Sequence, residues 1–454
     1  MKRSTIVALA ALAFFAVPNL TSAMPTIYPR GTTIYDPEKC WNGYTVISMN
    51  GNNKEMGGSY LVDMNGNVVH EWRNLFGMPS KVFPNGVIMG SQADIGGDPG
   101  DLTVMDFDGN VLWQLPFKAP YTDYPRQHHD YQVSGNPVGY YAPGQTPNPL
   151  GDKILIDGRA PLDNPKVSPK TLQDEFIYEV DVKTKKIVWS WNASSSFDQL
   201  GLSDSAKEVI SAAGGNWIHI NSVSYVGPNK WWDEDPIKYS MFNPENIIWD
   251  SRHNNILGIT DRKGDIVWRV GPDYAATPEL KMLGQIVGQH HAHMIPKGLP
   301  GEGNILVFDN GGNGGFGDQR ATRDFSRVIE FNPVTLEIVW QYTYSGKVFP
   351  SENPFYSAYI SSAQRLPNGN TLITEGAWSR VFEVTPDSEI AWEYIGPAGK
   401  RANNAPGMPH HELYRAYRIP YEWVPQLTQP TESAVVPDPV SDSRNYWVLA
   451  RDIK

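Results

Sequence analysis

The sequence predicts an all-β fold, a six-bladed β-propeller, from three observations: a repeated strand pattern, a tryptophan that closes each repeat, and a composition rich in turn formers. Of the 454 residues, 12% are aromatic and 19% are charged, and the 41 Gly and 37 Pro are spread along the chain. Such a composition favours many short strands joined by turns. Length alone does not fix the number of domains, so the repeat decides it.

Each repeat consists of an alternating strand, a polar turn and a short strand that ends on tryptophan. Apolar residues alternate with a period of two, and the turns hold Asn-Gly, Asp-Gly or similar residues that tolerate positive φ, so each copy is predicted to be a β-hairpin. The tryptophan supplies apolar area between neighbouring sheets. The six copies are 60–72, 102–113, 176–189, 257–268, 328–340 and 381–392.

A further strand precedes most copies, so the repeating unit has about four strands, which is typical of a propeller with loop insertions. A large β-sandwich is the alternative. These strands are predicted at 85–89, 153–157, 246–250, 304–309 and 370–375. The insertions are predicted at 134–149, 198–214 (with a short helix at 205–213), 228–242 and 311–325.

The two ends of the chain differ from the repeat. Lys2 and Arg3, an apolar stretch at 6–17 and small residues at 21–23 predict a secretory signal peptide over residues 1–23. Residues 24–454 are then one propeller domain, whose non-repeat C-terminal tail, 397–454, is expected to pack on it while one chain end pairs with the other to close the ring.

Composition also restricts the partners. No later segment has the roughly 20 uninterrupted apolar residues of a membrane-spanning helix, so no membrane span is expected. The net charge of −11 makes nucleic acid and anionic membranes unfavourable partners. Cys40 is the single cysteine, which excludes an intrachain disulfide.

Histidines collect at one kind of position. The first strand of each propeller blade lines the central channel, and six of the ten histidines lie in such predicted strands of three blades. Clustered imidazoles are costly to bury unless they bind a metal or an anion or transfer protons. We therefore predict a functional site. The six are His128, His129, His219, His290, His291 and His293, whereas His70, His253, His410 and His411 lie outside the pattern.

Arginines recur at the ends of the second strands. Asp157-Gly-Arg159 matches Asp250-Ser-Arg252, and Asp309-Asn310 occupies the same place in a later blade. Guanidinium groups bind tetrahedral oxyanions through paired hydrogen bonds, and histidine can act as nucleophile or general acid/base near neutral pH. The arginines could instead form salt bridges with these aspartates. Arg320, in the glycine-rich insertion, is a further candidate.

The chain resembles the bacterial aryl-sulfate sulfotransferases, which are exported six-bladed propellers. The similarity is carried by the segments 217–222, 247–252, 289–291 and 305–311. It implies transfer of a sulfuryl group from a phenolic sulfate ester to a phenol in the bacterial periplasm, by a ping-pong route through a transient sulfohistidine. Neither 3′-phosphoadenosine 5′-phosphosulfate, a metal nor another cofactor is then needed.

The resemblance also implies roles for individual residues. His219, with His290 or His291, corresponds to the family's channel histidines, and Arg252 would neutralise charge on the transferring group. Substrate-binding roles are expected for His128, His129, Asn221, His293, Arg159, Asn310 and Arg320.

One family feature is missing. The nucleophilic histidine of the family corresponds to the strand end at 375–380, beside Trp378, and this sequence has no histidine there. His128, His129 and His293 are therefore candidates for a relocated role.

Two other functions stay open. The six channel histidines could coordinate copper or zinc in a metalloenzyme, because imidazole suits these ions. The propeller could also bind a ligand without catalysis. A metal site would load stoichiometrically and be lost on histidine substitution, whereas sulfuryl transfer should survive a chelator.

Overall fold

The chain folds into six antiparallel sheets arranged as a β-propeller, as the repeats predict. The structure is a computed structural model that describes residues 30–50, 58–73, 75–93, 99–117, 125–343, 355–396 and 412–436. The predicted signal peptide lies outside these residues. Within them, no helix is long and apolar enough to cross a membrane.

Strands dominate the described part of the chain. They are β1 (Gly31–Tyr35), β2 (Tyr44–Asn50), β3 (Gly58–Val62), β4 (Val68–Arg73), β5 (Leu75–Phe83), β6 (Val87–Ala93), β7 (Pro99–Met105), β8 (Val111–Leu115), β9 (Arg126–Val133), β10 (Lys153–Leu162), β11 (Leu172–Asp181), β12 (Ile187–Asn192), β13 (Ile220–Tyr225), β14 (Ile247–Ser251), β15 (Ile256–Thr260), β16 (Ile266–Val270), β17 (His290–Met294), β18 (Ile305–Asp309), β19 (Arg327–Phe331), β20 (Ile338–Thr343), β21 (Ser362–Arg365), β22 (Thr371–Glu375), β23 (Arg380–Val384), β24 (Ile390–Ile395) and β25 (Glu412–Ile419).

Helices are short and lie in the connections. The α-helices are α1 (Asp204–Ala213), α2 (Lys230–Glu234) and α3 (Pro278–Leu283). The first of them is the helix predicted in the second insertion, and the Ser203 side chain caps it by accepting from the Ala206 backbone N–H. Short 3₁₀ helices occur at Pro84–Gly86, Ala193–Leu200, Ser240–Phe242, Gly317–Gln319, Gly376–Trp378 and Tyr421–Trp423.

Each blade runs from an inner strand at the channel to an outer strand at the rim. In chain order the sheets are β25-β2-β3-β4, β5-β6-β7-β8, β9-β10-β11-β12, β13-β14-β15-β16, β17-β18-β19-β20 and β21-β22-β23-β24-β1. We call them blades one to six.

The predicted tryptophan hairpins are the third and fourth strands of the blades, and the tryptophans join each blade to the next. Every one of the six indole N–H groups donates to a backbone carbonyl in the hairpin turn of the following blade, as in Trp72 to Asp106 (3.1 Å) and Trp113 to Val182 (2.9 Å). The ring closes where Trp392 of blade six donates to Met64 of blade one (2.9 Å). The other three bonds are Trp189 to Arg262, Trp268 to Pro333 and Trp340 to Pro386.

The C-terminal tail does more than pack on the propeller. Its strand β25 is the inner strand of blade one and pairs with β2, near the start of the chain. At the other end, β1 adds to the outer edge of blade six by pairing with β24. Both ends of the chain therefore take part in closing the ring, and the tail places side chains in the channel.

Candidate functional site

The candidate site lies on the face where the inner strands begin and the second strands end. Antiparallel pairing brings these two points together in every blade. In blade three the start of β9 and the end of β10 carry His128 and Arg159, and in blade four His219 and Arg252 flank the corresponding ends of β13 and β14.

Three of the predicted histidines form one cluster. The rings of His128 and His129 are 3.6 Å apart between centroids, and Nε2 of His129 lies 3.1 Å from Nε2 of His219. His253, which lies outside the sequence pattern, stacks on the far side of His219 at 4.7 Å. The sequence missed it because it follows strand β14 instead of lying on an inner strand.

An irregular backbone conformation changes the direction in which two of the channel histidines point. His219 and His291 have φ values of 55° and 56°, in the left-handed region, next to register shifts in their pairing with the second strands. This conformation costs an L-residue about 1 kcal/mol or more and is tolerated where the surrounding structure requires it. Bulges of this kind re-aim side chains at functional sites.

The hydrogen bonds assign the protons of the His129–His219 pair. Nδ1 of His219 lies 3.0 Å from Nη2 of Arg159 and 2.8 Å from Nδ2 of Asn216. A guanidinium can only donate, so Nδ1 of His219 carries the lone pair and Nε2 carries the proton. That proton is donated to Nε2 of His129, whose own proton is then on Nδ1.

Burial and neighbouring cations keep these imidazoles neutral. The pKa of His129 lies well below its ordinary value because of burial, with further lowering by His128 and Arg159. The pKa of His219 is lowered in the same direction, first by burial and then by His128 and His129. Both rings are therefore neutral at pH 7, the form in which imidazole can accept a proton or attack.

This proton arrangement does not suit a metal ion bound between His129 and His219. His128, His129 and His219 offer nitrogens within 4.8 Å of one another, as do His128, Asp157 and Glu175 with their ligand atoms. A metal between His129 and His219 would need a lone pair on Nε2 of His219. Because Arg159 donates to Nδ1 of that ring, Nε2 carries the proton instead. Among the described residues, the other three proposed ligands, His290, His291 and His293, join neither group.

His290 has both ring nitrogens engaged. Its Nδ1 donates to Oδ1 of Asn310 (2.7 Å), and its Nε2 accepts from the backbone N–H of Ile360 (3.1 Å). The Asn310 amide is oriented by its own donation to the carbonyls of Ser357 and Ile360. Asn310 thus holds His290 in place, and a catalytic role for His290 requires one of these bonds to open.

Two further predicted histidines lie deeper in the channel. His293 donates from Nδ1 to the His291 carbonyl (2.9 Å) and accepts at Nε2 from the Tyr140 hydroxyl (2.9 Å), and burial lowers its pKa to about 4. His291 is 2% exposed; its ring contacts the rings of Tyr140, His293 and Tyr417, and neither of its ring nitrogens has a hydrogen-bond partner among the described residues. Asn221 is also buried, and its amide donates to the Gln289 carbonyl (3.0 Å).

The alternative prediction, that Arg159 and Arg252 form salt bridges with the aspartates two positions before them, is wrong. Arg159 pairs with Glu175 on the neighbouring strand, at 3.1 Å from Nε and 2.9 Å from Nη2, and not with Asp157. Among the described residues, the half-buried Arg252 guanidinium has no hydrogen bond or ion pair, and burial alone lowers its pKa. Its charge in turn lowers the pKa of His290 and His253, after burial itself.

Other predicted positions lie away from the cluster. Arg320 is exposed and donates to Oδ1 of Asn313 (3.0 Å). At the strand end where the family's nucleophile is expected, Glu375 forms a buried salt bridge with Arg380 (2.9 Å). This place is therefore filled by an ion pair instead of a histidine.

Buried charge from the tail supports the channel, and the sequence pattern did not point to it. Arg415, on β25, donates to Oδ2 of Asp130 (2.7 Å) and to the Asn221 carbonyl (2.6 Å). Lys81 binds the other oxygen of Asp130 (2.9 Å), so one carboxylate faces two cations. Arg415 lies in the C-terminal tail, which lacks the repeat. The repeat pattern therefore did not indicate that Arg415 lies in the channel.

Two buried aspartates favour their neutral form. Burial raises the pKa of Asp250 to about 7, and burial together with the charge of Glu175 raises that of Asp157 well above its ordinary value. Asp250 accepts from the Ser222 hydroxyl and the Ala292 backbone N–H. A carboxyl with a raised folded-state pKa destabilises the fold as pH rises toward and past that pKa.

Replacing Asp250 by Asn should therefore change the pH dependence of stability. Between pH 5 and pH 8 the parent ionises a buried group that the unfolded chain has already ionised, whereas the amide stays neutral. The free energy of unfolding of the variant relative to the parent should increase by roughly 2 kcal/mol over this range. Urea unfolding at several pH values measures it, and a difference that is constant with pH would contradict the assignment.

A cavity opens beside the cluster. Its volume is about 240 Å³, and it is lined by Arg126, Gln127, His128, Arg159, Ala160, Pro161 and Gln173. Arg126, Arg159 and Glu175 stand in register across β9, β10 and β11. Like charges on paired positions repel, so two guanidinium groups beside one carboxylate favour an anion in the cavity.

Comparison with known proteins gives one family. The model of the family described as Arylsulfotransferase (ASST) matches residues 36–395. A search of the curated proteins finds no match.

Several solved structures match the chain only distantly in sequence. They include a protein of unknown function from Bacteroides caccae (TM-score 0.43, 10% identity, 83% of this chain and 99% of that chain). A streptogramin B lyase has a TM-score of 0.36 with 12% identity, covering 86% of this chain and 87% of that one. Hydrazine synthase of Kuenenia stuttgartiensis has a TM-score of 0.36 with 13% identity, covering 79% and 80%.

Proposed function

Because the chain belongs to the arylsulfotransferase family, we propose that it transfers a sulfuryl group from a phenolic sulfate ester to a second phenol in the cavity beside His128 and Arg159. Both substrates are small molecules, and the reaction takes place outside the cytoplasm if the predicted signal peptide directs export to the periplasm.

One observation supports this proposal most directly: cationic guanidinium groups and neutral imidazoles share one open cavity. Arg159 lines the cavity and donates to Nδ1 of His219, and Arg126 faces it from the neighbouring strand. Sulfuryl transfer needs positive charge around three anionic or partly anionic oxygens and an uncharged nucleophile or base. A cation site would place carboxylates where this cavity has arginines.

The arrangement supports a division of labour between residue types. Arg159 can hold sulfuryl oxygens through its outward N–H groups while Glu175 fixes its orientation. His219 and His129, linked by a hydrogen bond, can pass a proton along the pair when a phenol enters or leaves. No step of this scheme calls for a metal ion or a diffusible cofactor.

The test is a transfer assay from 4-nitrophenyl sulfate to phenol, run beside metal analysis of protein purified without affinity chelation. We expect transfer that is unchanged by a chelator and is reduced at least about 100-fold in His219→Ala. His70→Ala is the matched control, because His70 packs between Trp72 and Phe107 on the outer strand of blade one and should leave transfer unchanged.

Opposite results would favour the alternatives. Near-stoichiometric copper or zinc with no transfer would support a metalloenzyme. Absence of both transfer and metal, with saturable binding of an aryl sulfate, would support a ligand-binding propeller.

A further inference from the structure

One residue that the sequence pattern did not indicate contacts three members of the site. Asn216 lies in the connection between α1 and β13, three positions before His219. Its side-chain Nδ2 is 2.8 Å from Nδ1 of His219, its Oδ1 is 3.4 Å from Nη2 of Arg159, and its backbone oxygen is 2.9 Å from Nδ1 of His253. One asparagine therefore faces two imidazoles and an arginine that lines the cavity.

The connection that carries Asn216 is anchored to strand β11. Gly215, directly before Asn216, has a φ of 60° and forms a parallel backbone bridge with the first residue of that strand. The same strand carries Glu175, whose Oε1 accepts from Nη2 of Arg159 (2.9 Å) and lies 3.1 Å from Nδ1 of His128. One strand of blade three therefore positions both Arg159 and the backbone on which Asn216 sits.

Two donors converge on Nδ1 of His219. Nη2 of Arg159 has two protons but lies near three acceptors. Oε1 of Glu175 is 2.9 Å away, Nδ1 of His219 is 3.0 Å away and Oδ1 of Asn216 is 3.4 Å away. The Asn216 amide makes the shorter contact to Nδ1, at 2.8 Å. When sulfuryl oxygens engage the protons of Arg159, Asn216 therefore remains as a donor to the ring.

The backbone of Asn216 fixes the proton of the neighbouring ring. A carbonyl oxygen can only accept, so Nδ1 of His253 carries the proton and its Nε2 carries the lone pair. His253 stacks on His219 with 4.7 Å between ring centroids. The two stacked rings thus have opposite tautomers, and both are set from one residue: His219 by the side chain and His253 by the main chain.

From this geometry we propose that Asn216 is a positioning residue, which keeps Nδ1 of His219 unprotonated and so directs the Nε2 proton to His129. The proposal rests on the proposed function and deepens it, because it states how the linked pair keeps its direction while Arg159 holds the sulfuryl oxygens. Asn216 acts through His219 and does not itself take part in the transfer.

The substitution Asn216→Asp tests the proposal, because it replaces a donor by an acceptor of similar size. In full-length protein labelled with ¹⁵N-histidine, the ring-nitrogen chemical shifts show which nitrogen is protonated, and the signals lost in His219→Gln and His253→Gln assign the two rings. We expect the proton of His219 on Nε2 in the parent, whereas Nδ1 should be protonated in Asn216→Asp. His253 should keep its Nδ1 proton in both proteins, because a backbone carbonyl holds it.

Activity in the 4-nitrophenyl sulfate assay should follow the tautomer. In Asn216→Asp we expect kcat to fall at least about 10-fold while KM changes less than about twofold, because the linked pair is affected and ester binding is not. The acid limb of the pH–rate profile should move to higher pH, since a carboxylate beside Nδ1 favours the protonated ring. Asn216→Ala, which leaves Arg159 as a donor, should have the same effects to a smaller extent.

Asn254→Ala is the matched control. Asn254 is buried and donates to the Trp217 carbonyl (3.3 Å), so it supports the same connection, and its amide makes no hydrogen bond to an imidazole among the described residues. Its loss should lower the melting temperature and leave the His219 tautomer and the acid limb unchanged. The same tautomer change in Asn254→Ala, or a change of both rings in Asn216→Asp, would mean that Asn216 only supports the fold.

The outcomes distinguish this proposal from the one on which it rests. A parent with the His219 proton on Nδ1, or a folded Asn216→Asp with the parental tautomers and rate, would overturn the positioning role and leave sulfuryl transfer intact. A parent with the expected tautomers that transfers no sulfuryl group would overturn the proposed function instead. If Asn216→Asp does not fold, as judged by its melting curve, the parent spectrum and Asn216→Ala decide the question.

Discussion

Replacing Arg252 by Met should lower sulfuryl transfer and raise stability at the same time. The half-buried guanidinium has no partner among the described residues. No interaction therefore offsets the free-energy cost of removing its charge from water. Its functional use would be to hold the anion, and removing one such donor costs about 100-fold in rate or more. Methionine fills similar space without charge, so we expect kcat/KM to fall by that factor and the melting temperature to rise by about 2 °C.

A matched arginine in the same blade provides the control. Arg269 lies on the outer strand β16, where burial also lowers its pKa, but it donates to the Gln199 carbonyl (2.9 Å). Arg269→Met should therefore keep full transfer and gain no stability. If Arg252→Met transferred at the parental rate, the anion would be held by other cations, such as Arg126 and Arg159, which line the cavity.

Replacing Arg415 by Met should have the largest effect on stability. This buried arginine binds Asp130 and the Asn221 carbonyl, and its loss leaves Lys81 as the one cation among the described residues that binds this buried carboxylate. Removing one partner from a buried ion pair costs about 3 to 5 kcal/mol. Urea unfolding measures the loss, and Arg415→Lys, which keeps the charge, should recover part of it.

The same substitution should also change the pH dependence of transfer. After burial, the Arg415 charge lowers the pKa of His290, His291 and His293, so its removal should raise these values and move the acid limb of the pH–rate profile upward. Arg418→Met is the matched control. Arg418 is equally buried on β25 but binds Glu383 (3.1 Å), so its loss should destabilise the protein without moving that limb. Equal shifts in both variants would contradict a channel role for Arg415.

The blades could be predicted because their signals are local. Alternation, turn residues and a closing tryptophan all lie within about a dozen residues, so each hairpin is readable before the fold is known. The structure then adds that each tryptophan donates to the next blade, as Trp392 does to Met64 across the closure of the ring. Strand β25, the inner strand that the tail contributes, was not predicted, because most of the chain separates it from its partner β2.

For the candidate site, the sequence indicated which residue types collect at the channel, since six histidines and two arginines recur at equivalent points of the repeat. It could not distinguish them, because their chemistry depends on partners in other strands and blades. Arg159 donates to Glu175 and His219 instead of Asp157. Arg415 donates to Asp130, which is 285 positions away in the sequence.

The sequence by itself therefore determined the repeating architecture and the family, because periodicity and motifs are properties of neighbouring residues. Only the tertiary structure decided which imidazole faces a carboxylate, which arginine lacks a partner and which aspartate favours its proton. Those properties depend on burial and on hydrogen bonds between strands that meet only when the ring of blades has closed.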